Sequence, residues 1–146
     1  EGRNLALGIE PPVAMFGPEN VVSGPARPVE RPNAWVAAAG DAQPELALAW
    51  PETVAVGRVV IEFDPDWDHP MESVLMTHPE EVAPFMVRDF DLLDGAGAVL
   101  HQVRGNHSAW FEWRPREPLA VSRLVLRVLA THGAPAAVFR LRVFGC

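Results

Sequence analysis

The chain has 146 residues, of which 49% are hydrophobic and 21% are charged. This size and composition suit one soluble globular domain that buries its own core without disulfides or a structural metal. The net charge of −7 comes from 19 acidic residues against 12 arginines. It disfavours nucleic acid and anionic membranes as partners, because both need a basic face. The longest apolar runs are four or five residues, so no membrane insertion is predicted.

The sequence has one cysteine, Cys146, and begins at Glu1. One cysteine cannot form an internal disulfide or a multi-thiolate zinc site. The opening residues lack the charged-then-apolar pattern of a leader peptide. We therefore interpret the chain as a mature product or a piece of a longer protein. We expect residues 1–146 to form a single domain.

The 15 prolines and 11 glycines disfavour long helices, because proline interrupts the helical hydrogen-bond ladder. Five of the prolines fall within residues 17–44, and we interpret that stretch as stiff loops. Period-two alternation of apolar residues begins at Glu45 and indicates a strand, which Pro51 is expected to end. Residues 71–86 combine helical spacing with bracketing prolines. They predict a turn of helix inside a long loop.

Alternating or β-branched runs separated by Gly/Pro turns continue to the end of the chain. They predict strands near 54–63, 88–93, 99–103, 110–113, 121–129 and 139–143. The sequence Asp94-Gly95-Ala96-Gly97 joins two of these runs and predicts a hairpin. Seven or eight short strands of this kind are typical of sandwiches and jelly rolls. The sequence therefore predicts an all-β fold, an antiparallel β-sandwich or jelly roll of about eight strands.

An acidic cluster with one histidine, Asp64, Asp66, Asp68 and His69, carries the strongest chemical signal. Its Asp-x-Asp-x-Asp run opens the calcium-loop motif, but the Gly and Glu that the motif requires later are replaced here. The plain interpretation is a solvated loop whose aspartates cap turns. The alternative is a small metal-dependent hydrolase that uses Asp64, Asp66, His69 and His78, and metal content of the purified chain would separate the two.

The five tryptophans divide into two groups. Trp35, Trp50 and Trp113 follow strand patterns and are expected to fill the core. Trp67 and Trp110 fall at loop positions, where an exposed ring can stack on a sugar or anchor a protein contact, and where packing beneath a loop is the plain alternative. The candidate ligand-binding side chains beside them are Arg27, Arg31, Asn33, Asp66, Arg104, Asn106 and His107. We predict no catalytic residue and no cofactor.

Five segments matter by the order in which they follow one another along the chain. They are Asn-Leu-Ala-Leu-Gly at 4–8, Asn-Val-Val-Ser-Gly at 20–24, Pro-Asn-Ala-Trp at 32–35, a strand–turn–strand unit at 45–61 and Phe-Arg-Leu-Arg-Val-Phe-Gly-Cys at 139–146. Together they resemble the discoidin or coagulation-factor C-type family of galactose-binding-like folds. The resemblance implies a sandwich that binds sugars, lipids or proteins through loops at one end. Those loops would be residues 18–33, 64–84 and 104–110. Many sugar-binding relatives hold a calcium ion, but the two positions that would supply its ligands are Ser23 and Arg140 here, which disfavours the metal.

The segments 22–28, 63–66, 105–107 and 130–133 resemble a module at the C-terminal end of bacterial FAD-dependent oxidoreductases. That resemblance implies a non-catalytic accessory module of a larger bacterial protein, secreted or in the cell envelope. The flavin chemistry would then lie outside this chain, which has no dinucleotide-binding Gly-x-Gly-x-x-Gly after a strand. The expected partners are a carbohydrate or a neighbouring catalytic domain of the same chain. A purely scaffolding role is the third interpretation.

Overall fold

The computed structural model describes residues 15–22, 32–65 and 82–146. These residues form one short 3-10 helix and seven antiparallel strands, which confirms the all-β prediction. The 3-10 helix is Pro18–Val22, and the strands are β1 (Trp35–Val36), β2 (Glu45–Phe63), β3 (Val87–Asp94), β4 (Val99–Val103), β5 (Trp110–Trp113), β6 (Leu119–Thr131) and β7 (Ala137–Gly145). The segment 4–8, which carries part of the family resemblance, and most of the helical turn expected at 71–86 lie outside the described residues. No helix among the described residues is long and apolar enough to cross a membrane.

The long strand β2 belongs to both layers of the sandwich. Its first half pairs with β6, and its second half lies between β7 and β5. A straight strand would separate Glu45 from Phe63 by about 60 Å. Their partners Arg127 and Val138 are only 138 − 127 = 11 residues apart, which reach about 40 Å at most. The strand must therefore bend. Since Arg127 and Val138 flank the connection between β6 and β7, both ends of β2 lie at the end of the sandwich where that connection runs.

Pro51 does not end the strand, so that prediction is wrong. The pairing of β2 with β6 instead shifts register between Ala49 and Val54, and Pro51 lies inside this irregular stretch. Proline has no amide hydrogen to donate to a ladder, so it is tolerated where the ladder is already interrupted. Pro51 thus marks an interruption of the β2–β6 ladder rather than the end of the strand, and the change of partner from β6 to β7 follows at Val56.

The hairpin between β3 and β4 forms where the sequence predicts it. The carboxylate of Asp94 accepts hydrogen bonds from the amides of Ala96 and Ala98, both at 2.9 Å. Gly97 has φ of 86°, a left-handed conformation that glycine adopts without a steric penalty. The order of pairing from one edge to the other is β1-β7-β2-β6-β3-β4, with β5 added on β2.

The core lies between the layers and is built from alternate residues of the strands. Its largest fully buried side chains include Phe63, Phe90 and Ile61. The rings of Phe63 and Phe90 lie 5.4 Å apart between centroids, and Phe90 meets Phe111 edge-to-face at 5.0 Å. Trp35 is buried, and Trp50 and Trp113 pack against the core cluster, so the predicted core tryptophans are confirmed.

Candidate functional site

Five loop segments meet at the end of the sandwich where β2 both begins and ends. The Phe63 amide donates to the Ala109 carbonyl, and the Ala37 amide donates to the Ala136 carbonyl. The His132 amide donates to the Met86 carbonyl. These bonds join segments 36–44, 64–65, 82–86, 104–109 and 132–136, which we call the loop end. It contains most of the described residues that the sequence analysis assigned to a ligand.

Arg104 is committed to the fold at the start of loop 104–109. Its Nη2 lies 2.8 Å from Oδ1 of Asp91, a carboxylate on β3 with only 7% exposure. Its Nη1 donates to the carbonyls of Phe90 and Val103 at 3.0 and 2.7 Å. A buried carboxylate needs such a partner, because desolvation penalises an unpaired charge. The guanidinium therefore fastens β4 and the loop to β3.

Both the nitrogen and the oxygen of the Asn106 side-chain amide form hydrogen bonds that hold the same loop. Its Nδ2 donates to the carbonyls of Val87 and Ser108, and its Oδ1 accepts from the Ser108 amide. The Asn106 carbonyl lies 2.7 Å from Nε2 of His132. Because a carbonyl only accepts, that nitrogen must carry the proton. These bonds position His107, whose side chain is exposed.

Asp89 on β3 provides a further contact between this strand and loop 104–109. Its carboxylate accepts from the Gly105 amide at 2.8 Å and pairs with Arg88 at 3.1 Å. The Gly105 hydrogen bond, aided by Arg88, holds the pKa of Asp89 below its ordinary value, because both interactions favour the charged carboxylate. Gly105 itself has φ of 67°, so the tight turn that aims this amide at Asp89 suits glycine.

Trp110 opens β5 immediately after the loop, and 51% of it is exposed. Its neighbours Phe111 and Trp113 pack against the core, so strand alternation places Trp110 and Glu112 on the opposite, outer face. The same alternation places Arg58 and Glu62 of β2 on this face, since Val59 and Ile61 are in the core. We call the outer side of β5, β2 and β7 the outer face.

Glu62 and two arginines form a charged cluster beside the Trp110 ring. Trp110 and Arg140 are the register partners of Glu62 on either side. Arg142 Nη2 donates to Glu62 Oε1, and Arg140 Nη1 lies 3.7 Å from the same oxygen. The Arg142 guanidinium carbon lies 5.7 Å from the centre of the Trp110 ring, within reach of a cation–π attraction. An apolar ring thus adjoins fixed hydrogen-bonding groups.

A second cluster lies further along the outer face. Glu112 is 3.9 Å from Arg58 and 2.7 Å from Arg114. The Arg58 guanidinium carbon lies 3.9 Å above the centre of the Phe144 ring. The sequence analysis did not assign Glu62, Glu112, Arg58 or Arg142 to any site. The sequence did contain a signal for this shared face. Apolar residues occupy alternate positions of β2, β5 and β7, so the charged residues between them all lie on the outer side.

Several predicted site residues lie outside the described ranges: Arg27, Arg31, Asp66 and Trp67, and also His69, His78 and the calcium-position residue Ser23. Asn33 is described and is 8% exposed, so little of it faces solvent. Asp64 follows β2, and its amide donates to the Ala137 carbonyl. Among the described residues, no group of three His, Cys, Asp or Glu side chains could hold a metal ion.

No protein-family model and no curated protein sequence matches the chain. Solved structures do resemble it. The family 32 carbohydrate-binding module from Streptococcus pneumoniae EndoD aligns with a TM-score of 0.64 and 16% identity, over 92% of this chain and 88% of that one. The chitosan-binding module 1 of a chitosanase/glucanase from Paenibacillus sp. IK-5 aligns with a TM-score of 0.66 and 10% identity, over 95% and 91%.

A third structure, the family 32 module from C. perfringens NanJ in complex with galactose, has a TM-score of 0.64, 10% identity and coverage of 90% and 86%. The chain has the fold of these carbohydrate-binding modules. At such low identity the likeness fixes the β-sandwich architecture and leaves the ligand to be argued from this chain's own side chains. The galactose-binding-like part of the predicted resemblance is therefore confirmed at the level of fold.

Proposed function

We propose that this domain is a non-catalytic carbohydrate-binding module and that Trp110 is the platform on which a sugar ring stacks. The observation that carries the proposal is the half-exposed indole of Trp110, fixed on a strand beside a carboxylate and two guanidiniums. A sugar ring has an apolar face that suits an aromatic surface, and its hydroxyls suit charged hydrogen-bonding groups.

The position of the ring supports this assignment. Trp110 lies on β5 with a backbone bond from its amide to Ser108 Oγ at 3.2 Å, so it is held at both the strand and the loop. An exposed aromatic residue on rigid backbone contributes contact area with little loss of conformational entropy. His107, exposed on the preceding loop, lies close enough in sequence to add a polar contact to the same ligand.

The test is a glycan array followed by calorimetric titration of the bound sugar. Replacing Trp110 by Ala should weaken binding by roughly tenfold or more, because a central aromatic anchor is lost. Trp110→Phe should retain part of the affinity, since a smaller ring remains. Val99→Ala is the matched control: Val99 is 50% exposed and lies on β4, away from the outer face. Equal affinity of Trp110→Ala and Val99→Ala would refute the platform.

Docking on a catalytic domain is the second candidate function. It is supported by three exposed apolar side chains around the 3-10 helix, Met15, Phe16 and Val22, with exposures of 51%, 47% and 62%. Apolar side chains that are exposed close together in the chain can contribute to a contact surface when they form one patch. A folded domain that binds no glycan would favour this function. The finer prediction, an FAD-dependent oxidoreductase as the larger protein, rests on the sequence resemblance alone.

The metal-dependent hydrolase remains the contrasting hypothesis, and most of its residues lie outside the described ranges. Of Asp64, Asp66, His69 and His78, only Asp64 is described. Metal analysis of the purified chain, without added metal, separates the two classes. A stoichiometric transition metal would support the hydrolase, because a catalytic site retains its metal through several protein ligands.

A further inference from the structure

At the end of the outer face away from the loops, an open cavity of about 690 Å³ is lined by Arg58, Arg114 and Phe144, together with Gly57, Pro115, Pro118, Gly145 and Cys146. Glycine and proline make its walls low and stiff, while the two arginines provide its hydrogen-bond donors. Side-chain exposure is 65% for Arg114 and 32% for Arg58. Both guanidiniums are therefore accessible from the cavity.

The charges around this cavity do not balance. Glu112 is the acidic partner that the described residues provide for both arginines. It binds Arg114 through Nε at 2.7 Å, and Arg58 approaches it only to 3.9 Å. The described lining of the cavity therefore includes two guanidiniums and no side-chain carboxylate, which makes it locally positive. On a protein with a net charge of −7, such a local excess of positive charge is a specific feature of this surface.

The Arg58 guanidinium is also held in place. It lies 3.9 Å above the centre of the Phe144 ring, and stacking of this kind orients the planar group while its edge stays available for hydrogen bonds. A guanidinium edge matches the two oxygens of a carboxylate or a sulfate. Arg114 uses its Nε on Glu112, and its side chain also lines the cavity.

The cavity lies on the same outer face as the Trp110 platform. Trp110 and Glu112 are two residues apart on one face of β5, a separation of about 7 Å between Cα atoms. Arg58 and Glu62 are four residues apart on the same face of β2, or about 13 Å. A saccharide of several units that stacks on Trp110 can therefore extend along the outer face as far as the cavity.

We propose that the cavity at Arg58, Arg114 and Phe144 is a second subsite, and that it binds the carboxylate or sulfate group of an acidic glycan whose neighbouring sugar stacks on Trp110. This inference rests on the proposed carbohydrate-binding function and specifies its ligand class. The two arginines supply the charge, and Phe144 supplies a second aromatic surface beside it.

The experiment compares each acidic glycan with its own neutral counterpart. The probes are oligogalacturonate and its methyl ester, and a sulfated oligosaccharide and its desulfated form, together with a general array. We expect at least one acidic probe to bind roughly tenfold more tightly than its neutral form at low salt, because charge-assisted hydrogen bonds are added. The preference should shrink as salt is raised.

Two variants with opposite expected effects test whether the preference for the acidic probe comes from this cavity. Arg114→Ala should weaken binding of the acidic probe much more than binding of its neutral form, and Glu112→Gln should increase the preference because a neutralising charge is lost. Arg123→Ala is the control, since Arg123 is exposed on β6 and its loss removes the same charge from another surface. Thermal unfolding of each variant verifies that it is folded.

The possible failures are distinguishable. Equal binding of acidic and neutral glycans, or an acidic preference that Arg114→Ala and Arg123→Ala reduce equally, would overturn the second subsite and leave the proposed function standing. Binding of no glycan by the folded domain would overturn the proposed function and this inference with it.

Discussion

Loop 104–109 and the outer face both pair arginine with carboxylate, but they use the pairing differently. In the loop, Arg104 pairs with the buried Asp91 and donates to two backbone carbonyls, so these bonds of its side chain are made within the fold. On the outer face, each of Glu62 and Glu112 pairs with two arginines, and one arginine of each cluster lies over an aromatic ring. The loop is therefore built to hold a shape, and the face is built to present charges and rings.

The largest expected effect comes from breaking the loop anchor. Arg104→Ala leaves the Asp91 carboxylate buried without its cation, and we expect the free energy of unfolding to fall by ~2 kcal/mol, less than for a fully buried pair because 47% of the Arg104 side chain is exposed. Denaturant unfolding measures it. Arg88→Ala is the control: Arg88 and Arg104 have the same 47% side-chain exposure, but Arg88 pairs with the more accessible Asp89, so its loss should cost under about 1 kcal/mol. Equal losses would erase the distinction between the two regions.

The comparison also explains which parts of this account the sequence could predict. Period two in residues such as Leu46 and Leu48, or Phe139 and Leu141, reports which side of a strand is buried, so the fold class followed from it. The bend in β2 did not, because Pro51 marks either a stop or an interruption of the ladder, and only the pairing of both halves decides which. The half-exposed ring of Trp110 followed from its position at a loop edge.

The roles of Arg104 and Asn106 could not be read from the sequence in the same way. Both are polar residues in a loop, and that description fits a ligand contact as well as an internal hydrogen-bond network. Their partners Asp91 and Val87 are 13 and 19 residues away in the chain, so the β3–β4 pairing must be known first. Asp91 carried a signal of its own, since it stands between the apolar Phe90 and Leu92, where a carboxylate needs a partner.

An effect of intermediate size is expected from pH, because a histidine in the interior loses stability on acidification. The His101 ring on β4 stacks on Trp113 with a centroid distance of 5.2 Å, and burial lowers the pKa of His101 below its ordinary 6.5. The unfolded chain therefore binds the proton at a higher pH than the folded protein does. Stability is fully present above pH 6.5 and should fall as the pH drops through that value toward the lowered pKa of the folded state.

Denaturant unfolding of His101→Gln between pH 7 and pH 5 checks this prediction. The variant should lose less stability on acidification than the parent protein, because the titrating group is gone. His107→Gln, at an exposed loop position, should keep the parent's acid loss. An unchanged acid loss in His101→Gln would assign the effect to other groups. The described side chains around Trp110 on the outer face are arginine and glutamate. His101 instead stacks on Trp113, so protonation of His101 is expected to affect stability rather than affinity for a sugar.

The smallest expected effect is Glu62→Gln on the outer face. Glu62 has 14% side-chain exposure, and both of its arginines lie nearer the surface, at 25% and 38%. Gln keeps a side-chain oxygen that can accept a hydrogen bond from Arg142, and both arginines stay partly hydrated, so the change is expected to cost under about 1 kcal/mol. The free energy of unfolding should therefore fall by less than that amount, with a difference that shrinks in high salt. A salt-independent loss as large as that of Arg104→Ala would show that Glu62 holds the sheet together. In that case the cluster beside Trp110 would belong to the fold, as the loop network does, and the indole alone would remain to support sugar binding.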